Sequence, residues 1–292
     1  MVYYLMITIN KETSNLLIIT IFSLLFLALN SILCKVALVN NYIDAYSFTF
    51  YRLFFGAITL ILIYFYNHKK IKISKNTNWL TSFMLFVYAL CFSYGYIKLD
   101  AGLGTLLLFG IVQIVMLISS FFHKEKISFQ KVIGMFVAFF GLAFLLYPRE
   151  SLDISYFHVF LMVLSGIAWA VYSILGKRSV DAISNTMDNF VKATLFAIVF
   201  YLLFNMSDIH LSLNGIGLAF ISGSITSAIG YVVWYKVLPK IQIITASVIQ
   251  LFVPLISIIL SVIFLNEIFT FELGISTIII SLGILLTIFS RK

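Results

Sequence analysis

Ser31-Ile32-Leu33-Cys34-Lys35 returns 142 positions later as Ser173-Ile174-Leu175-Gly176-Lys177. The same ungapped shift carries Ser23 onto Ser165, Ser82 onto Ser224, Lys98 onto Lys240, Ser119 onto Ser261, Glu125 onto Glu267 and Gly141 onto Gly283. Coincidences among Ile, Leu and Phe are cheap in so apolar a chain. Polar residues that agree in a single register are not, and they mark an internal repeat.

Composition says what the repeat is made of. The chain is 62% hydrophobic and 10% charged, where a soluble domain carries about 25% charge. A body of 292 residues cannot hide that much apolar surface from water, so its solvent is lipid. A helix needs about 20 residues to cross about 30 Å of hydrocarbon. Runs of that kind are expected at Leu16–Val39, Tyr46–Tyr66, Trp79–Ile97, Gly102–Phe122, Phe129–Tyr147, Tyr156–Leu175, Phe190–Asn205, Gly215–Leu238, Ile243–Leu265 and Phe271–Phe289. Their length and lack of alternation exclude a barrel.

The net charge of +8 would suit nucleic acid in a soluble protein. Here the cations sort by membrane side instead. With the N-terminus in the cytoplasm, the inner segments hold Lys11, Lys69, Lys70, Lys72, Lys75, Lys124, Lys126, Lys131, Lys177, Arg178, Lys236, Lys240, Arg291 and Lys292. The outer ones hold only Lys98 and Arg149. One crossing more or fewer would scramble that sorting.

Five crossings per half is an odd number, so the second half enters the membrane from the opposite side. The expected fold is an all-α membrane protein, ten transmembrane helices in two inverted five-helix repeats. Residues 1–15 form a cytoplasmic segment, 16–147 the first repeat and 148–292 the second. Both termini are expected in the cytoplasm of a cell whose plasma membrane holds the chain. Met1 to Asn15 lacks the pattern of a signal peptide, so insertion would start from the first span. Inverted repeats are a feature of many secondary transporters, in which one half rocks against the other about a central site.

From Gly230 the chain reads Gly-Tyr-Val-Val-Trp-Tyr-Lys-Val-Leu-Pro-Lys240, then Ala246-Ser247, Gln250-Leu-Phe-Val-Pro254 and Leu265-Asn-Glu267. The first half carries a cognate pattern: Ala101-Gly-Leu-Gly-Thr-Leu-Leu-Leu-Phe-Gly-Ile-Val-Gln113, Met116, Glu125, Gly134 and Gly141. Over nearly its whole length the chain resembles EamA-type members of the drug/metabolite transporter superfamily. The resemblance implies ten helices in two inverted halves and transport of small organic metabolites, commonly export. It also sets Lys35 and Arg52 where the family often has a basic residue. Many relatives carry a proline in helix four to match the one in helix nine; Val112-Gln113 stand there in this chain.

Several residues within the spans bear on a site. Asn30 and Trp169 sit well inside theirs and are pocket candidates. Gln113 and Gln250 lie on repeat-related helices and bind either substrate or a neighbouring helix. Ala219, Gly223, Ser227, Tyr231 and Tyr235 recur at four-residue steps and share one face, where Tyr231 suits an amphipathic cavity wall. Trp234, near a span end, reads as an interfacial anchor. Pro254, the only proline inside a span, is a kink beside a cavity or a tolerated bend. Lys35 and Arg52 are placed towards the outer face, near an outer gate, where they either snorkel, pair as gate residues or attract a carboxylate or phosphate. Asp188 and Lys192 can pair at four-residue spacing.

Absences complete the reading. No Asp or Glu lies in the middle third of a span, which disfavours a cation/proton multidrug antiporter. Cys34 and Cys91 have no metal-ligand spacing, and no phosphate cradle or zinc-binding His pair occurs. No catalytic residue, cofactor or metal is therefore expected. The expected partners are a small-molecule substrate and the lipid bilayer, not nucleic acid. The expected function is a secondary transporter, an exporter of small metabolites such as amino acids working by alternating access. The alternatives are a multidrug or organic-anion permease, a non-transporting receptor or scaffold of the same architecture, and an intramembrane enzyme.

Overall fold

The structure, a computed structural model, describes residues 11–68, 78–123, 128–146, 155–204, 209–266, 268 and 271–288. Several charges counted above lie outside them: Lys69, Lys70, Lys72, Lys75, Lys124, Lys126, Arg149, Arg291 and Lys292. So do Glu125 and Glu267, residues 1–10, and the expected span ends Tyr147, Asn205 and Phe289.

The helices are α1 Lys11–Val39, α2 Ala45–His68, α3 Trp79–Gly95, α4 Ala101–Phe122, α5 Phe129–Leu146, α6 Tyr156–Gly176, α7 Ala182–Phe204, α8 Leu213–Lys240, α9 Ile243–Leu265 and α10 Phe271–Ile288. Among the described residues no strand occurs beyond one isolated bridge, Ile43 to Leu211. Seven of the helices (α1, α2, α4, α6, α7, α8 and α9) are long and apolar enough to cross a membrane, while α3, α5 and α10 form shorter apolar helices.

Local sequence explains the ends. Asn78 and Ser212 accept backbone N–H bonds from Leu80 and Gly215, capping α3 and α8. Asp181 does the same for Ile183 and Ser184, so α7 begins earlier than Phe190, where hydropathy alone would start it. Its first turns are polar but buried, with Thr186, Asp188 and Asn189 each 3% exposed or less. Asn266 closes α9 at φ 54°, a left-handed position that asparagine tolerates.

The packing buries many polar side chains within an apolar core and exposes large apolar ones. Ser23, Asn30, Thr49, Arg52, Ser165 and Gln250 are buried, while Leu62, Phe136, Phe140, Leu202 and Phe264 are exposed. That distribution suits lipid as the outer solvent. Interior hydroxyls close onto carbonyls one turn back, as Thr49 does on Ala45 and Thr194 on Phe190.

Three pairs of helices 142 residues apart pack on one another and run antiparallel. On α2 and α7, the Tyr46 hydroxyl donates to the Ala197 carbonyl, and Gly56 faces Phe190. On α4 and α9, Thr105 meets Ser257 and Met116 meets Gln250. On α5 and α10, Gly141 faces Ile280 and Gly283 faces Ala138. The remaining cross-packing obeys the same exchange of halves: α3 on α6 mirrors α8 on α1, α4 on α6 mirrors α9 on α1, and α3 on α7 mirrors α8 on α2.

Candidate substrate site at the centre of the bundle

The site is assembled where α1, α2, α3, α6, α8 and α9 meet. Helix α8 sets its geometry. From Ser222 to Ile229 it winds as a π-helix between two α-helical stretches, a feature often found at functional sites. The wider turn takes back the drift that four-residue steps accumulate in an α-helix, so Ala219, Gly223, Ser227, Tyr231 and Tyr235 all face inward and are buried. Three hydroxyls of the π-helix converge on one amide. Ser222, Thr226 and Ser227 all donate to Asn30 Oδ1.

Arg52 is only 1% exposed. Its Nε donates to Ser227 Oγ at 2.8 Å, and its Nη2 donates to the hydroxyls of Tyr88 and Tyr231. Tyr231 in turn donates to Tyr88 at 3.0 Å. The guanidinium carbon lies 5.3 Å from the Tyr88 ring centre and 5.1 Å from that of Phe92. Tyr88, Ser227 and Tyr231 all lie around the midpoints of their helices, so Arg52 is held in the middle of the bundle. Close packing draws it there, because Gly223 of α8 presses on the Arg52 backbone carbonyl and Gly56 of α2 on that of Gly223.

Beside the cation stands an aromatic box. Trp169 lies 4.8 Å from Tyr88 and 4.8 Å from Tyr231, ring centre to ring centre, with Tyr172 at 5.5 Å. Trp169 Nε1 donates to Gln250 Oε1 at 2.7 Å, and the amide nitrogen of Gln250 reaches Met116 Sδ and the Ala246 carbonyl. Gln250 stands at a break in α9, between helical segments Ile243–Ile249 and Phe252–Leu265. The break falls one turn before Pro254, whose ring would collide with the carbonyl of residue 250 in a continuous helix.

Asn30, Arg52, Trp169, Tyr231 and Gln250 thus form one connected cluster. Gln113 is buried on α4, and neither amide atom has a partner among the described residues. Lys35 lies apart, its ammonium donating to the Tyr96 carbonyl at 3.2 Å. Lys192 sits 5.1 Å from the Trp79 ring centre. Trp234 is wholly buried and donates to Ser173, so it packs within the bundle instead of anchoring an interface. Tyr88, Phe92 and Tyr172 were not among the candidates. A tyrosine midway along an apolar run, far from either interface, was the available signal for Tyr88.

The two ends of the cluster differ. Towards the end bearing Lys177 and Arg178, a cavity of about 240 Å³ opens, lined by Asn78, Thr81, Gly176, Arg178, Asn189 and Tyr235. The Tyr235 ring lies tilted 5.0 Å from that of Tyr172, between the cavity and the aromatic box. At the opposite end the α1–α2 and α7–α8 connections are clasped. The Asp44 carboxylate accepts from the backbone N–H groups of Ser47 and His210, and Ser212 N–H donates to the Tyr42 carbonyl.

A buried polar and aromatic centre in an apolar helical bundle, with a cavity towards one end, suits a membrane transporter. The chain belongs to the EamA-like transporter family, whose profile matches it twice, at residues 14–147 and 156–289. The two matches start and end 142 residues apart, the offset of the internal repeat. The chain is similar to an uncharacterized protein of Pseudomonas aeruginosa, 38% identical over 86% of each chain. It is similar to the uncharacterized transporter YoaV of Bacillus subtilis, 25% identical over 82% of this chain and 85% of that one. An S-adenosylmethionine uptake transporter of Rickettsia felis is 26% identical over 54% of this chain and 51% of that one. A crystal structure at 15% identity superposes with a TM-score of 0.72, covering 94% of this chain and 96% of that one, which shows a shared fold.

Proposed function

We propose that the chain is a secondary transporter of small organic metabolites, amino acids among them. It works by alternating access between two inverted halves, residues 16–147 and 148–292, with all ten helices crossing the plasma membrane and both termini cytoplasmic. The observation that carries this reading is the antiparallel packing of α2 on α7, α4 on α9 and α5 on α10. Repeat-related helices that run in opposite senses suit a two-fold axis lying in the membrane plane. Such an axis gives two conformations of nearly equal energy, each open to one side.

The clasp at one end and the cavity at the other fit one member of that pair. Asn30, Gln113, Trp169, Tyr231 and Gln250 line the path of the solute, with Arg52 as its charged anchor and Lys35 nearer the clasped end. The break before Pro254 lets the two segments of α9 tilt separately. Export is the preferred direction. Uptake is the second reading, favoured by the likeness to the Rickettsia uptake transporters.

Counterflow in proteoliposomes over amino acids, organic acids, nucleosides and sulfonium metabolites tests the proposal. Exchange of at least one class is expected, and none for any class would overturn it. Loading the solute inside or outside separates export from uptake.

A further inference from the structure

We infer that Arg52 and Asn30 form a carboxylate subsite, in which Arg52 Nη1 and Asn30 Nδ2 together hold the two oxygens of a monoanionic solute; this rests on the transporter reading above. Both nitrogens are fully buried and have no hydrogen-bond partner among the described residues. A buried donor left unmade is costly, more so when charged, so two such donors on linked side chains need an account.

The side chains are tied to one hydroxyl. Ser227 Oγ accepts from Arg52 Nε at 2.8 Å, which leaves its own hydrogen to donate to Asn30 Oδ1 at 3.2 Å. That donation, with those of Ser222 and Thr226, fixes the amide with its oxygen towards α8 and its nitrogen away. The free donors of Arg52 and Asn30 therefore belong to side chains joined through one hydroxyl.

Charge selects the ligand. Among the described residues the partners of Arg52 are hydroxyls and ring faces, all neutral. One cation without a counter-ion in a water-poor centre calls for one negative charge. An amine would meet like charge, and a phosphate dianion would bring a second charge and a third oxygen with no donor to meet it. A carboxylate matches in both charge and oxygen count. The rest of the solute then lies against Tyr88, Trp169 and Tyr231, which favours an apolar or flat body.

The test uses the full chain purified in detergent and compares sodium 3-phenylpropanoate with 3-phenylpropanamide, near-isosteres differing in charge. The carboxylate is expected to raise the melting temperature of the wild type and the amide is not. Arg52→Gln removes the charge and should abolish the response. Asn30→Asp retains the acceptors for α8 and supplies a resident carboxylate to Arg52. It should melt higher than wild type in buffer and bind 3-phenylpropanoate about tenfold more weakly or worse.

A purely structural Arg52 would leave Asn30→Asp answering the ligand like the wild type, and that result overturns the subsite. Equal shifts with amide and carboxylate, or no shift with either, also overturn it. Counterflow separates the two ideas. Flux of neutral solutes by a chain indifferent to carboxylates keeps the transporter and removes the subsite. Carboxylate binding without any flux does the reverse.

Discussion

In the crossing of α3 with α6, Ser165 donates to the Tyr88 carbonyl at 3.0 Å; in the crossing of α1 with α8, Ser23 donates to the Gly230 carbonyl at 3.5 Å. Donors and acceptors alike are 142 residues apart, so the two bonds are one bond made twice. Around them the side chains have diverged. Tyr88 packs its ring against Trp169 where its counterpart Gly230 has no ring and meets Phe26. Tyr172 belongs to the aromatic box where its counterpart Asn30 collects three hydroxyls from the π-helix. The repeat holds the backbone frame, and divergence on that frame gives the centre one aromatic side and one polar, cationic side. A symmetric centre could not orient a solute; this one can.

The largest effect is expected from prying the polar side apart. A side chain on Gly223 would collide with the Arg52 backbone carbonyl, whereas Gly217, on the same helix, has open space. Gly223→Leu should cost about 3 kcal/mol or more by overpacking, with loss of monodisperse protein on gel filtration. Gly217→Leu should elute and melt like the wild type. Equal behaviour of the two would mean that the α2–α8 contact does not hold the site.

Next in size is the aromatic side. Trp169→Phe keeps the ring but removes the donor to Gln250 Oε1, leaving a buried acceptor unmade at about 1–3 kcal/mol. Gln250→Leu alone should cost a comparable amount. The double variant should be less destabilised than the two singles summed, because neither polar partner is then stranded. Thermal melts of the four proteins give the coupling, and additivity would show that the bond does not join α6 to α9.

How much of this was legible in the sequence divides along the same line. The frame was legible, because Ser23 and Ser165 or Gly141 and Gly283 had to be retained in one register to keep their contacts, and the family match repeats that offset. Asn30, Trp169, Tyr231 and Gln250 stood out as polar or amphipathic groups deep in spans, and they do converge. Arg52 was harder. Distance from a span end says where a cation could snorkel, not that glycines on α2 and α8 bring those helices close enough to bury it. Trp234 misleads in the same way, since its partner Ser173 lies on another helix. The π-helix was not legible at all, because four-residue steps read alike in α and π windings.

The smallest effect bears most directly on the frame. Ser165→Ala and Ser23→Ala each delete one interhelical hydroxyl bond, and bonds of this kind inside membranes are worth about 0.6 kcal/mol on average and up to about 1.7. Neither deletion strands a donor, and each carbonyl acceptor keeps a place in its own helix, so both losses should fall in that range. They should not be equal. The Ser165 bond is at normal length and that of Ser23 at the limit of one. Ser165→Ala should therefore lower the melting temperature more than Ser23→Ala does. If the polar side opens during transport, Ser23→Ala should alter counterflow more than its small cost in stability suggests, while Ser165→Ala should change stability and flux together. The reverse pattern would assign the moving surface to α3 and α6, and the aromatic box, not the arginine, would then be the part that opens.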